Sequence, residues 1–175
     1  MGIPSRQEAL AILHEGQEAL DSLVEQLSPT DLARPATIGG GDWSAKDLIG
    51  HMAFCEEIAL VTIEAWLRGE RPPIEETFTA GETDEQNAWN QERKQSWSLD
   101  RVRGESAATH RQLVAAIEGM TDQEWTSRRP FEGDDAHEDL GTELGDVLGA
   151  PDRPFGHAFA HLPDLEAYAR SVASR

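Results

Sequence analysis

The chain has 175 residues, of which 38% are hydrophobic, so it is long enough to bury a core and is predicted to fold as a single domain over 1–175. Fifteen Lys and Arg residues against 33 Asp and Glu give a formal net charge of -18. This charge would repel a phosphate backbone, so nucleic acid is not expected as a partner.

The N-terminal sequence and the hydropathy pattern predict a cytoplasmic protein without a membrane partner. The first residues lack the basic stretch and following apolar stretch of a secretory signal. Apolar runs also stay well below the roughly 18 residues that a transmembrane helix needs. Cys55 is the one cysteine, which excludes an internal disulfide and fits a reducing compartment.

Apolar residues recur every three or four positions at the start of the chain, which predicts a first helix over about 5–27. Ser28 and Pro29 end this helix and begin a short helical turn over 28–34, since proline suits the first helical position after a serine cap. A glycine-rich loop at 39–41 follows.

The clearest helix start lies at Ser44, which can cap a helix while Asp47 complements its positive end. A long second helix over about 44–69 is therefore expected. Its apolar stripe includes the position of His51, so this imidazole is predicted to point inward.

The same signals predict the elements of the second half of the chain. These are a loop over 70–83, helices over 83–97 and 98–120, a short turn from Thr121 to Pro130, an irregular stretch over 131–154 with one short helix near 142–148, and a last helix over 155–172. Because no segment shows the two-residue period of a strand, the predicted fold is all-α.

His157 and His161 are four residues apart, so their imidazoles project in nearly the same direction from the last helix and can share one ion. The pair borders the apolar stripe of that helix. Facing helices of a bundle are a known place to assemble metal ligands, and His51 occupies an inward position on another helix. From the residues alone, two interpretations remain: a three-histidine metal site, or core histidines that are only hydrogen-bonded.

Two motifs carry a resemblance to a known family over nearly the full chain. They are Trp-Ser followed by Asp-Leu-Ile-Gly-His within 43–51, and His-x-x-x-His-Leu-Pro-Asp at 157–164. Both are similar to motifs of the DinB superfamily of bacterial bundle proteins. The middle stretch over 84–100 resembles in particular the branch that includes the ClbS/DfsB proteins.

The resemblance implies a four-helix bundle in down-up-up-down order, with extra short helices in the loops, and a homodimer. Family members place one metal-binding histidine on the second helix and a His-x3-His pair on the last. The matching positions here are His51, His157 and His161. The stretch over 145–154, just before the histidine pair, departs from the family pattern in its glycine, proline and aspartate content. The family's rim around the metal site is therefore not expected to carry over unchanged.

Three neutral nitrogen ligands suit Zn²⁺ or Ni²⁺, with Fe²⁺ or Mn²⁺ as further candidates, and they leave a coordination position open. The resemblance favours a thiol S-transferase or a hydrolase-like enzyme in detoxification. In such an enzyme a thiol, for example mycothiol or bacillithiol, or a water attacks a small electrophile. The alternative is a non-catalytic stress-protection protein with a structural metal or a cavity for a small molecule. No catalytic residue is identified from the sequence.

Several single residues are candidate neighbours of this site. Tyr168 can line a cofactor pocket and Asp164 can orient a ligand imidazole, although a core tyrosine and a solvated aspartate are the simpler interpretations. Cys55 lies one turn after His51 and could approach the ion, but we interpret it as a small buried hydrophobe. The other histidines are predicted to lie at the surface: His14, His110 and His137.

Overall fold

A computed structural model describes residues 4–72, 83–130 and 139–175, with the backbone alone at 83 and 84. Eight helices make up most of these segments. They are α1 Arg6–Val24, α2 Pro29–Leu32, α3 Ala45–Arg68, α4 Thr83–Lys94, α5 Leu99–Gly119, α6 Asp122–Trp125, α7 Leu140–Val147 and α8 His157–Ala173. Across the described segments, β pairing is limited to two isolated bridges. The all-α prediction is confirmed.

Side-chain caps fix where the helices begin. The Ser44 hydroxyl accepts the backbone N–H of Asp47 at 3.2 Å, and the Asp47 carboxylate accepts the backbone N–H of Ser44 at 2.9 Å. Such a cap contributes about 1 kcal/mol. Gly69 ends α3 with a φ of 74°, a left-handed conformation that glycine adopts without strain. The predicted bounds of this helix are therefore confirmed to within a residue.

Four long helices, α1, α3, α5 and α8, form the body of the fold. Helix α3 packs most extensively on α5, α1 packs on α8 and α5, and α8 also contacts α3, so the four helices close into a ring. Two apolar clusters fill the ring, one around Trp66 and Phe155 and the other around Leu48 and Leu165. The down-up-up-down direction of the helices stays a prediction.

Helix α4 is attached to α3 by buried polar groups as well as by ring contacts. The backbone carbonyl of Gly50 accepts hydrogen bonds from the Asn90 amide at 3.3 Å and from the Lys94 ammonium at 3.0 Å. Lys94 is only 4% exposed and is paired with Glu105 at 2.5 Å. Because Gly50 precedes His51, these bonds hold α4 beside that imidazole.

The first turn of α8 lies unusually close to α1. A Cβ atom added at Gly16 would be 2.9 Å from the Cβ of Ala158, so only glycine allows this approach. The backbone N–H of His157 also donates to the carbonyl of Leu148 at 2.9 Å, which ties the start of α8 to the end of α7. Both contacts fix the position of His157 in the bundle.

Candidate metal centre

Three imidazoles from two helices meet at one side of the bundle core. The Nε2 atom of His157 lies 3.1 Å from Nε2 of His51 and 3.1 Å from Nε2 of His161. The three ring centroids are 4.9, 5.2 and 5.0 Å apart. The structure thus brings together the three histidines that the sequence singles out.

Burial keeps these imidazoles neutral near pH 7. Burial, followed by repulsion from His157 and His161, lowers the pKa of His51 to about 3. Burial and the neighbouring His161 lower the pKa of His157 to about 4. The pKa of His161 is also lowered by burial, an effect that the Asp164 carboxylate opposes. All three rings can therefore offer an unprotonated nitrogen.

Cys55 stands next to this cluster, one turn along α3 from His51. Its sulfur lies 3.9 Å from Nε2 of His51, and ligand atoms of His51, Cys55 and His157 all lie within 4.8 Å of one another. Burial raises the pKa of the Cys55 thiol to about 12, so the thiol stays protonated near neutral pH. Our sequence interpretation did not include Cys55 among the ligands, although its spacing of four residues from His51 matches that of the His157 and His161 pair.

Most of the chain matches the model of one protein family. The family model of the DinB superfamily matches residues 12–161, which include all three histidines. The chain belongs to the DinB superfamily. No curated protein is matched by this chain. The likeness to the ClbS/DfsB branch stays a prediction.

The superfamily fold is also seen in a solved structure. The crystal structure of an uncharacterised protein from Escherichia coli UTI89 superposes with a TM-score of 0.79, covering 98% of this chain and 96% of that chain. The two sequences are 15% identical, so the likeness shows a common fold. Within the described segments, no helix is long and apolar enough to span a membrane.

The donors in this DinB-superfamily chain fit the metal ion that the family resemblance implies. Imidazole nitrogen and thiol sulfur are ligands that zinc accepts, and imidazole also suits nickel. Two zinc–nitrogen bonds of about 2.0–2.1 Å in a tetrahedral arrangement separate their nitrogens by roughly 3.4 Å. The two distances from Nε2 of His157, to His51 and to His161, are 3.1 Å and are close to that separation.

Each imidazole has a different outer neighbour. The side chain of Asn87 on α4 accepts a hydrogen bond from His51, and the Trp43 ring lies against the same imidazole with centroids 5.0 Å apart. Asp164 is exposed and acts electrostatically on His161. An orienting role for Asp164 stays a prediction. For His157, the Nδ1 atom is buried and has no hydrogen-bond partner among the described residues.

Tyr168 lies in the core, beside α2. Its side chain is 5% exposed, and its hydroxyl donates to the backbone carbonyl of Asp31 at 2.8 Å. This bond anchors α2 to α8. A cofactor-binding role for Tyr168 stays a prediction.

The remaining histidines differ from one another in placement. His14 is exposed, as predicted. The surface prediction for His110 is wrong, because this residue is 9% exposed and its Nδ1 lies 2.7 Å from Oε1 of the buried Glu56. His110 falls on the stripe of α5 that faces α3, three residues before the fully buried Leu113. His137 lies outside the described residues.

A groove of about 490 Å³ runs between α1 and α5, away from the three imidazoles. His110 lines it, together with charged side chains that include Asp21, Arg103 and Arg111. Glu56, the partner of His110, lies instead on a small cavity beside His157. The buried Glu56 and His110 pair therefore has one member on the groove and the other on the cavity beside the candidate metal centre.

Proposed function

We propose that this protein is a metal-dependent enzyme in which His51, His157 and His161 hold a divalent zinc or nickel ion. The observation that carries the proposal is the convergence of three imidazoles, with two Nε2 to Nε2 distances of 3.1 Å. A bound ion of this kind supplies a positive charge that lowers the pKa of an adjacent water or thiol, so that a nucleophile is available near neutral pH.

The chain's own residues prepare such a site in two ways. Burial keeps His51 and His157 unprotonated at neutral pH, so no proton has to leave these rings before an ion binds. Three protein ligands also leave a position for a small molecule, as in catalytic rather than structural zinc sites.

We propose an external thiol as one candidate nucleophile and a water as the other. Cys55 is a poor nucleophile, because burial raises its pKa to about 12 and thiolate is the reactive form. A low-molecular-weight thiol such as mycothiol or bacillithiol would take its place. The substrate would then be a small electrophile, and the reaction a thiol S-transfer or a hydrolysis in detoxification. The family resemblance supports this class, together with a cytoplasmic homodimer.

Metal binding by single variants tests the ligand set. Zinc and nickel are titrated calorimetrically into protein stripped of metal with a chelator. We expect one ion per chain in the wild type, and binding weaker by at least about tenfold after His51→Ala, His157→Ala or His161→Ala, because each removes one of three bonds. His14→Ala is the matched control, since His14 is exposed.

Wild-type protein that takes up no ion, or a His161→Ala variant that binds as the wild type does, would contradict the ligand set. Loaded wild type is then mixed with each thiol and a chromogenic haloarene. Faster thiol consumption than with the metal-free protein supports the enzyme. Binding without any turnover across thiol and water reactions favours the alternative below.

The alternative is a non-catalytic stress-protection protein whose ion is structural. One observation favours it, namely the Cys55 sulfur 3.9 Å from His51 Nε2, which could serve as a fourth protein ligand and close the coordination sphere. Cys55→Ser separates the two functions in the same titration. The enzyme predicts that this variant keeps its metal affinity, whereas a structural site predicts weaker binding and a lower Tm of the loaded protein.

A further inference from the structure

A small cavity lies between α1, α3 and α8, directly beside the candidate metal centre. Its volume is about 20 Å³, and its polar lining comes from Gln17, Glu56 and His157. The rest of the lining is mainly apolar and includes Met52 and Phe155. A cavity above roughly 10–15 Å³ can hold one water molecule, provided that two or more polar groups bind it.

Two of these polar groups have hydrogen-bonding capacity directed at no other described residue. The buried Nδ1 atom of His157 has no hydrogen-bond partner among the described residues. The Glu56 carboxylate uses Oε1 for His110, at 2.7 Å, and its other oxygen makes no bond of that kind in the described segments. A buried polar group without a partner destabilises the fold, so a water that binds Nδ1 of His157 and also reaches Glu56 is favoured.

We propose that one ordered water fills this cavity, accepts the Nδ1–H of His157 and donates to the carboxylate of Glu56. Glu56 is then a positioning residue for the candidate metal centre. The water-mediated bond places the proton of His157 on Nδ1, so that the lone pair of Nε2 faces His51 and His161. Ligand imidazoles are generally oriented in this way by a carboxylate beyond the ligand shell.

The hydrogen bond between Glu56 and His110 completes a chain from the groove to the metal centre. His110 lines the 490 Å³ groove, Glu56 joins it to the cavity, and the water joins Glu56 to His157. The pair holds Glu56 in place, since the Glu56 side chain is only 8% exposed and has His110 as its hydrogen-bond partner. The effect of this chain on metal affinity rests on the proposed function, whereas the water and the tautomer do not.

The first test uses metal-free wild-type protein with ¹⁵N-labelled histidine. Ring nitrogen shifts report which nitrogen carries the proton, and a high-resolution crystal structure shows whether a water fills the cavity. We expect His157 as the Nδ1–H tautomer and one water within hydrogen-bond distance of both Nδ1 and Glu56. A dry cavity, or a His157 protonated on Nε2, would overturn the proposal without any variant being made.

The second test uses Glu56→Gln, which preserves the size of the side chain. Its amide oxygen can still accept from His110, so its NH2 group faces the cavity and donates to the water. The water then donates to Nδ1 of His157, which moves the proton to Nε2. We expect this tautomer shift in the spectrum and a zinc affinity lower by about 10- to 100-fold.

Glu64→Gln is the matched control, because Glu64 lies on the same helix, is exposed and changes the net charge equally. It should leave both the tautomer and the zinc affinity unchanged. Zinc affinity equal to wild type in Glu56→Gln would overturn the positioning role. Absence of zinc binding in the wild type, with the water and tautomer as expected, would instead contradict the proposed function and leave the water site standing.

Discussion

At the scale of single residues, the site depends on polar groups that the fold holds away from water. The lowered pKa values of His51 and His157 have burial as their main cause. A buried imidazole nitrogen has lost its hydrogen bonds to water, and a bound metal ion can take the place of that water. Cys55 shows the opposite direction for the same reason, because burial disfavours its thiolate. Burial therefore keeps the imidazole nitrogens unprotonated and the Cys55 thiol protonated near neutral pH.

These shifts predict how the stability of the metal-free protein depends on pH. In the unfolded chain His51 and His157 gain protons below their ordinary pKa of 6.5, whereas in the fold they stay neutral down to about 3 and 4. The unfolded chain thus binds more protons in this window, and the free energy of unfolding falls as the pH drops from about 6.5 toward 4. Urea unfolding at several pH values in the presence of a chelator measures this.

The variant His51→Gln removes one of the two groups, so its unfolding free energy should depend less steeply on pH in the same window. His14→Gln, at an exposed histidine outside the metal centre, is the control for the loss of an imidazole. Equal slopes for wild type and His51→Gln would mean that His51 titrates normally in the fold.

At the scale of helices, the metal centre is a product of how closely α1 and α8 approach. Gly16 on α1 leaves space for Ala158, the residue that directly follows His157 on α8. Helix α4 contributes from the other side through its bonds to the carbonyl of Gly50. The four-residue spacing thus sets the common direction of His157 and His161, and helix packing brings His51 to them.

Gly16→Ala tests this packing. The added Cβ would lie 2.9 Å from that of Ala158, so α8 must shift, and we expect the free energy of unfolding to fall by about 1–3 kcal/mol. Zinc affinity should fall as well, because His157 moves with Ala158. Gly104→Ala on α5 is the control, since no atom lies within 4 Å of its added Cβ, and it should stabilise the protein by up to about 1 kcal/mol. Similar effects of the two substitutions would contradict the close packing of α1 on α8.

Much of the fold was predictable from the sequence, because caps and periodicity are local signals. Ser44 and the apolar stripe that follows it predict α3 and the inward position of His51, and the spacing of His157 and His161 predicts their common direction. The pairing of α3 with α5 is not local, so Glu56 and His110 could not be matched from the sequence. The burial of His110 had a signal in the sequence, since His110 lies four residues after the buried Ser106 and three before the buried Leu113.

At the scale of the whole molecule, the fold and the chemistry are supported by different observations. This chain and the Escherichia coli protein share the bundle at a TM-score of 0.79, although their sequences are only 15% identical. The fold alone therefore does not indicate a substrate. The formal charge of -18 would repel a phosphate backbone, and the prediction that nucleic acid is not a partner rests on this charge. The identity of the activity therefore rests on the few residues at the candidate metal centre.

X-ray absorption at the zinc edge of the loaded wild-type protein tests the central claim most directly. The account predicts three nitrogen ligands at about 2.0–2.1 Å and no sulfur ligand at about 2.3 Å, with the nitrogen count reduced in His161→Ala. A sulfur shell at about 2.3 Å that disappears in Cys55→Ser, or an unchanged spectrum for His161→Ala, would contradict a three-histidine centre.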